Sequence, residues 1–565
     1  MLKMKNFKLS KISSLDKNKK IGDVLLKIFA LLFAIMLVFM GKIRITNGIN
    51  SNNKQAIFLD FNIIDLVKFV VYYMLAYFGM IAIEKLISFS QYNNTYKSRK
   101  KNIKVFLCFL FFLLLVWLPC LLTFYPGGIF SDTTNTIAMA KKITPIDNHN
   151  PLLYTWLWQW LYSLGDLLEF NEYQVFFSCT IFQTVLMAMV VSCFLYSLYK
   201  KGYSKRMIIL STLYYGLLNL IPLYLVSLWK DTPFAAFFFG FSVLLFNIFW
   251  NEKTEQKFTD IKVIVLYSVL AYLISFSRNN GIYAFCFFTL ILLCYFIIKK
   301  DKKLFRYSFI ISVVLVAVFS VIRGPVYNSL GYNKDDKVES YGIPIQQVCY
   351  IIENNGDVSE SEKEVINSII PLEKLHKVYS PLIVDRVKWD SSFNKNYLND
   401  NNRLFLKTYL KIVAKNPIKA IKGMALANEG FWDLSRQTLD AYVNNFMWGT
   451  TKYKNTDLIK DNLGFSLRNL YATKYLLSSA LFAWIIFGTL IIGYRRRRGG
   501  AFMALIPAIG IWITMIIATP LAYSLRYVFP LVLILPEGIA IMIAPRYEKK
   551  EDIQEDGECI KTGKE

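Results

Sequence analysis

At 565 residues, 55% of them hydrophobic and with a mean hydropathy of +0.37, the chain is too apolar for an ordinary soluble domain. A net charge of +25 would suggest nucleic acid in a soluble protein, but no DNA- or RNA-binding motif accompanies it, and the basic residues fall between apolar runs. The two histidines exclude a site built from three or more of them, and the eight cysteines form neither a disulfide framework nor a zinc pattern.

The chain opens with a Lys-rich leader, Lys3 to Lys20, followed by an apolar run with no small-residue cleavage site. It reads as a signal anchor. Apolar runs of membrane-crossing length then recur at roughly 24–41, 63–83, 105–124, 173–198, 207–226, 233–250, 261–277, 281–298, 308–323, 474–493, 501–519 and 526–544. The expected fold is an all-α polytopic membrane protein with about twelve transmembrane helices. Lys97–Lys104, Lys200–Arg206, Lys299–Arg306 and Arg495–Arg498 share the leader's side if every run crosses. The positive-inside rule makes that side cytoplasmic and puts both termini there.

The expected organisation follows. Residues 1–104 hold the basic N-terminus and two accessory helices, and 105–323 a seven-helix module whose first outer loop is 125–172. Residues 324–473 form a polar, mostly helical extracytoplasmic domain, with a helical pattern at Leu404–Met424 interrupted at Pro417. Three helices at 474–545 and a charged tail, 546–565, complete the chain.

The first outer loop begins Tyr125-Pro-Gly-Gly-Ile-Phe-Ser-Asp132. Pro126, Gly127 and Gly128 end a helix and free the backbone to turn. Asp132 then stands near the membrane surface, where desolvation makes a carboxylate a stronger base. Ser131 or Asp132 would equally serve as the N-cap of a helix running to Met139. Next come His149, Asn150 and Pro151, before an apolar stretch with Trp156, Trp158 and Trp160. Asn150 fits a cap and Pro151 a first helical position. The stretch reads as an interfacial helix with an aromatic belt.

Three outer loops are minimal yet charged: Lys230-Asp231, Arg278-Asn279-Asn280, and Arg526-Tyr-Val-Phe-Pro530. Each cation alone fits a snorkelling side chain at a helix end. All three on one face with Asp132 would suit an anionic headgroup such as a phosphate.

With those residues in place, the chain resembles the GT-C superfamily of integral membrane glycosyltransferases, which take a sugar from a polyprenyl-phosphate carrier. Relatives include protein mannosyltransferases and aminoarabinose transferases, and the likeness is to the bacterial branch carrying an uncharacterised membrane domain. The resemblance implies that Asp132 is the catalytic base and that Asp231 matches a second-loop acid that binds metal or orients acceptor. Lys230, Arg278 and Arg526 would bind donor phosphate. His149, Asn150, Asn279, Asn280 and Trp156 would contact substrate. Many relatives carry Asp-Glu or Asp-X-Asp where this chain has Asp132-Thr133-Thr134, which leaves a divalent metal open and no certain cofactor.

The implied activity is transfer of a sugar to a cell-envelope glycan, lipid or protein at the outer face. Its rivals are a lipid-linked polysaccharide polymerase or ligase, a lipid or solute transporter, and a membrane scaffold. A transporter would carry broken helices and buried charges, whereas the charges here gather at the outer rim.

Overall fold

The computed structural model describes residues 2–45, 56–90, 99–147, 151–332, 337–434, 453–471, 478–496, 500–522 and 524–544. Within them the protein is almost wholly helical, with one antiparallel two-stranded hairpin, Ile43–Ile45 against Ala56–Phe58. Nine helices among the described residues are long and apolar enough to cross a membrane. The protein is therefore a multi-pass, all-α membrane protein. Its outermost helices turn large apolar side chains outward, such as Leu75, Leu86 and Phe111. Such faces are stable only against hydrocarbon.

Two of the predicted crossings are shorter helices, Ile261–Ser277 and Ser479–Arg495. A third is corrected. The run at 207–226 is not one helix but two, Lys205–Leu217 and Leu220–Leu225. Leu218 is extended, with ψ 98°, and Asn219 donates from Nδ2 to the Leu470 carbonyl at 2.8 Å. Hydropathy is continuous across this break, but Asn219 and Pro222 mark it, since Pro222 has no N–H to give the Leu218 carbonyl four residues back.

The helix boundaries follow local chemistry. Glu172–Lys200 opens on a reciprocal capping box between Asn171 and Gln174. The Leu404–Met424 pattern resolves into Asn402–Lys415 and Pro417–Ala427, with Pro417 at the first helical position where its missing N–H costs nothing. Residues 338–420 bury their own apolar cluster, including Ile351, Leu375, Leu398 and Ile412. The two leading helices dock against Ser479–Arg495, where Arg495 donates to Glu84 at 2.8 Å and also pairs with Asp23.

The helices Asp231–Ile248 and Leu525–Ile543 are the most enclosed of the nine, each with 78% of its apolar window buried. They form the centre of the bundle. Both begin at the same end, with charged residues in their first turns.

Candidate functional site

The loop Tyr125–Phe130 and the loop before Asp231 are stitched together through the backbone. Gly128 N donates to the Val226 carbonyl at 2.7 Å, and Leu228 N donates back to the Gly128 carbonyl at 3.0 Å. Gln183, buried on the Glu172–Lys200 helix, donates from Nε2 to the carbonyls of Leu225 at 2.5 Å and Ser227 at 3.1 Å. Gly127 has φ +120°, and a Cβ there would stand 2.5 Å from Thr180 Oγ1, itself bonded to the Pro126 carbonyl. Only glycine fits that close approach. Thr133 then donates to the Leu228 carbonyl at 2.5 Å and locks the next helix onto the second loop.

That next helix is Ser131–Ala140, with Phe130 as its N-cap and no side-chain capping bond. Ser131 and Asp132 are therefore its first helical residues, and the cap reading is set aside. Asp132 instead accepts from Arg526 Nη2 at 2.5 Å. Arg526 also donates from Nε to Asp231 Oδ2 at 2.5 Å, and the other Asp231 oxygen accepts from Arg278 Nη1. Lys230 is partly buried and lies within electrostatic reach of both carboxylates and both arginines. Burial pushes its ammonium below the ordinary lysine range, against the pull of Asp132 and Asp231.

Asp132, Lys230, Asp231, Arg278 and Arg526 thus meet in one cluster, with three cations around two carboxylates. The two acids differ in setting. The Asp231 side chain is 1% exposed and both its oxygens are on guanidinium groups, whereas the Asp132 side chain is 35% exposed. Asp231 is an anchor for two arginines, and Asp132 is the carboxylate that solvent reaches.

Aromatic rings frame the arginines. The Arg526 guanidinium lies 4.7 Å from the Trp229 ring centre, and that of Arg278 lies 4.6 Å from the Tyr527 ring centre. Trp229 packs in turn on Phe130, with ring centres 4.2 Å apart. Trp229 and Tyr527 did not stand out in a sequence that is 16% aromatic. Their position beside the charged loop residues was the available signal.

The remaining predicted residues lie elsewhere or engage the protein. His149 and Asn150 fall outside the described residues. The interfacial helix starts at Leu152, with Pro151 as its N-cap and not its first residue. Trp156 and Trp160 are exposed while Trp158 is fully buried. Residues two apart point to opposite sides of a helix, so Trp156 faces away from the packed side. Asn279 accepts from Arg323 at 3.2 Å, and Asn280 donates to Thr514 at 3.2 Å with its carbonyl oxygen buried and unbonded.

The cluster does not fit a divalent metal ion. Both Asp231 oxygens are held by guanidinium groups, the neighbouring cations would repel a dication, and among the described residues no three His, Cys, Asp or Glu side chains are grouped as ligands.

A buried carboxylate within a membrane span was missed. Glu537 lies fully buried in the Leu525–Ile543 span, with Oε2 2.8 Å from Ser242 Oγ and Oε1 without a hydrogen-bond partner. A lone acid inside an apolar run was its signal.

Residues 338–434 reach the cluster's margin. Ala522 N donates to the Leu382 carbonyl at 3.0 Å, Val384 N to the Pro520 carbonyl at 3.2 Å, and Gly430 N to the Ala522 carbonyl at 2.8 Å. The segment that leads into Arg526 is thereby held between two strips of this domain.

Residues 138–558 match a family of unknown function, DUF6020. The chain belongs to the DUF6020 family. The matched stretch contains Lys230, Asp231, Arg278 and Arg526, and begins just after Asp132. No curated protein and no solved structure matches the chain.

Proposed function

We propose that this DUF6020 protein is a membrane glycosyltransferase of GT-C type, moving a sugar from a polyprenyl-phosphate carrier to a cell-envelope acceptor at the outer face. The observation that carries the reading is the cluster itself: an accessible carboxylate, Asp132, bonded into a group of three cations at the end of the two central helices. In this reading the chain crosses about twelve times, the broken pair 205–225 and the two shorter helices included. The cluster end is extracytoplasmic, because the opposite loops carry Arg99–Lys104, Lys200–Arg206 and Lys299–Arg306. Both termini are then cytoplasmic.

The chemistry follows from the residues. Asp132 takes the proton of an acceptor hydroxyl. The acceptor oxygen attacks the anomeric carbon opposite the carrier, the carbon–oxygen bond to phosphate breaks, and the bonding pair leaves on the phosphate oxygen with inversion. Arg526, Arg278 and Lys230 stabilise that charge, so the leaving group needs no proton. Asp231 orients the two arginines and takes no part in proton transfer. Aromatic faces at Trp229 and Tyr527 limit how the guanidinium planes turn, which preorganises the donors. No step draws on a metal ion.

A transport reading draws on the broken helix 205–225 and on Glu537. The break, however, leads directly into the Ser227–Asp231 loop that the cluster uses. Between Arg526 and Glu537, about 16 Å along the helix axis, there is no other ionisable group but Tyr527. A polar pathway is not laid out along this helix.

The test is purified protein in nanodiscs with a panel of polyprenyl-phosphate sugars, read by release of polyprenyl phosphate. Asp132→Asn is expected to lose transfer by about a thousandfold while expressing and inserting normally. A wild-type protein that consumes no such donor, or an Asp132→Asn protein that stays active, would sink the assignment.

A further inference from the structure

The domain of residues 338–434 carries its charge unevenly. Residues 338–401 hold ten acidic and six basic side chains, whereas 402–427 hold Arg403, Lys407, Lys411, Lys415, Lys419 and Lys422 and no acid at all. Those six cations lie on the helices Asn402–Lys415 and Pro417–Ala427. Lys415 is neutralised by Glu362 at 2.9 Å, and Lys419 donates to the Asn355 carbonyl at 2.8 Å. Arg403, Lys407 and Lys411 stand on the exposed side of their helix and pair with no acid among the described residues. Large apolar side chains are exposed beside them, Leu410 at 63%, Ile418 at 70% and Ile421 at 58%.

The second helix sits at the membrane boundary. Its Ala425 and Leu426 pack with Met36, Phe39 and Met40, the last turns of the first membrane-crossing helix. Trp432, just beyond it, packs on Trp484 and Trp512 of two bundle helices. Lys422 lies 5.1 Å from the centre of the Phe58 ring, and Phe58 packs on Phe61, two residues before the lipid-facing helix that starts at Ile63. Ile421 precedes Leu426 by about 8 Å along the helix axis. The headgroup layer is about 5–8 Å deep on each side of the hydrocarbon, so Ile421 stays at its level whatever the tilt of the helix.

We propose that the helix pair 402–427 is a membrane dock: Ile418 and Ile421 enter the leaflet on the cluster's side, and Lys407, Lys411 and Lys422 meet the phosphates of anionic lipid headgroups. Basic amphipathic helices bind bilayers in this way, with apolar side chains at the acyl boundary and cations on anionic lipid. Lysine stems lie along that boundary while their ammonium groups reach the phosphates. The uneven charge selects one side of the domain, because the acids of 338–401 would be repelled by the same surface. The dock does not depend on the transferase reading. It bears on the cluster through the backbone, since this domain holds Pro520 and Ala522 by Val384, Leu382 and Gly430. Contact with the leaflet thus steadies the segment that leads into Arg526.

The experiment places a photo-crosslinking residue in the full-length protein, as Ile418→p-benzoylphenylalanine, Ile421→p-benzoylphenylalanine or, for the acidic part of the domain, Glu364→p-benzoylphenylalanine. All three positions are exposed, and melting temperatures check that each variant folds. The proteins are reconstituted in vesicles of phosphatidylcholine alone or of an equal mixture with phosphatidylglycerol, irradiated, and read for lipid adducts by mass spectrometry. Adducts are expected at 418 and 421, with a higher yield in the mixed vesicles and little at 364. Adding Lys407→Glu and Lys411→Glu should cut the yield in mixed vesicles about tenfold and change it little in phosphatidylcholine. Folded protein without lipid adducts at 418 and 421 overturns the dock. Crosslinks from those positions to another part of the chain, or to a second copy, overturn it in favour of that occupant. Equal yields at 364 remove the selected face. Adducts that ignore both phosphatidylglycerol and the lysine reversals overturn the headgroup contact.

Discussion

Asp231→Asn separates the anchor from the base. Asp231 gives one oxygen to each of two arginines, and the amide that replaces it has one acceptor and one donor group. Whichever way the amide turns, an N–H group faces a guanidinium N–H, so one arginine loses its acceptor and both lose the compensating charge. Removing one partner of a buried ion pair costs about 3–5 kcal/mol. Here Arg526 keeps Asp132 and Arg278 keeps the Tyr527 ring face, so we expect a loss of about 2–3 kcal/mol. Asp132→Asn removes charge from a side chain that is 35% exposed and accepts from Arg526, and should cost about 1 kcal/mol or less. Thermal unfolding in detergent should rank the two clearly, Asp231→Asn melting at the lower temperature, with wild type and Asp132→Asn close together. Phosphate binding should weaken in Asp231→Asn through loss of guanidinium alignment. Equal melting temperatures for the two variants, or undiminished phosphate binding by Asp231→Asn, would refute the anchor role.

Three further outcomes are expected. Arg526→Ala should weaken use of the donor by about a hundredfold while acceptor KM changes little, and equal losses for both substrates in steady-state kinetics would argue against a phosphate contact. Because burial lowers the Lys230 ammonium, its charge is present at low pH and lost as pH rises through a range below that of an ordinary lysine. The alkaline limb of the kcat/KM profile should therefore fall early in wild type and move to higher pH in Lys230→Arg, which stays charged; a limb unmoved by the substitution would show that another group titrates there. Gly127→Ala places a Cβ 2.5 Å from Thr180 Oγ1 at φ +120° and should destabilise the protein by about 2 kcal/mol, seen as a lower melting temperature together with reduced transfer.

Much of the architecture was legible because crossing a membrane imposes a one-dimensional rule. A helix that spans must be apolar over a sufficient length, and the runs at 63–83, 105–124, 173–198 and 281–298 each mark a long apolar helix in the fold. The domain pattern at Leu404–Met424 was legible for a similar reason, since a proline inside a helical period divides it at a known place. The division of 207–226 had a similar mark in Pro222, but the apolar length of the run outweighed it in the reading, and the contact of Asn219 with Leu470, 251 positions away, appears only in the fold. The cap expected at Ser131 or Asp132 failed because the helix already begins at Ser131, with Phe130 as its N-cap, and the Asp132 carboxylate goes to Arg526 from a distant part of the chain.

Charged residues in minimal loops could be picked out one by one, because an ionisable group at a hydrocarbon boundary is costly wherever it occurs. That property belongs to each residue and its immediate neighbours, so the amino-acid order alone singles out Asp132, Lys230, Asp231, Arg278 and Arg526. Which carboxylate is buried and which is accessible, and which arginine is shared, is decided by contacts spanning 295 and 394 positions. Those pairings depend on how the central helices pack side by side and on the backbone stitching of Gly128 to Val226. Hydropathy is a sum over neighbours along the chain, whereas an ion pair needs two groups brought to one point in space, and only the folded bundle does that.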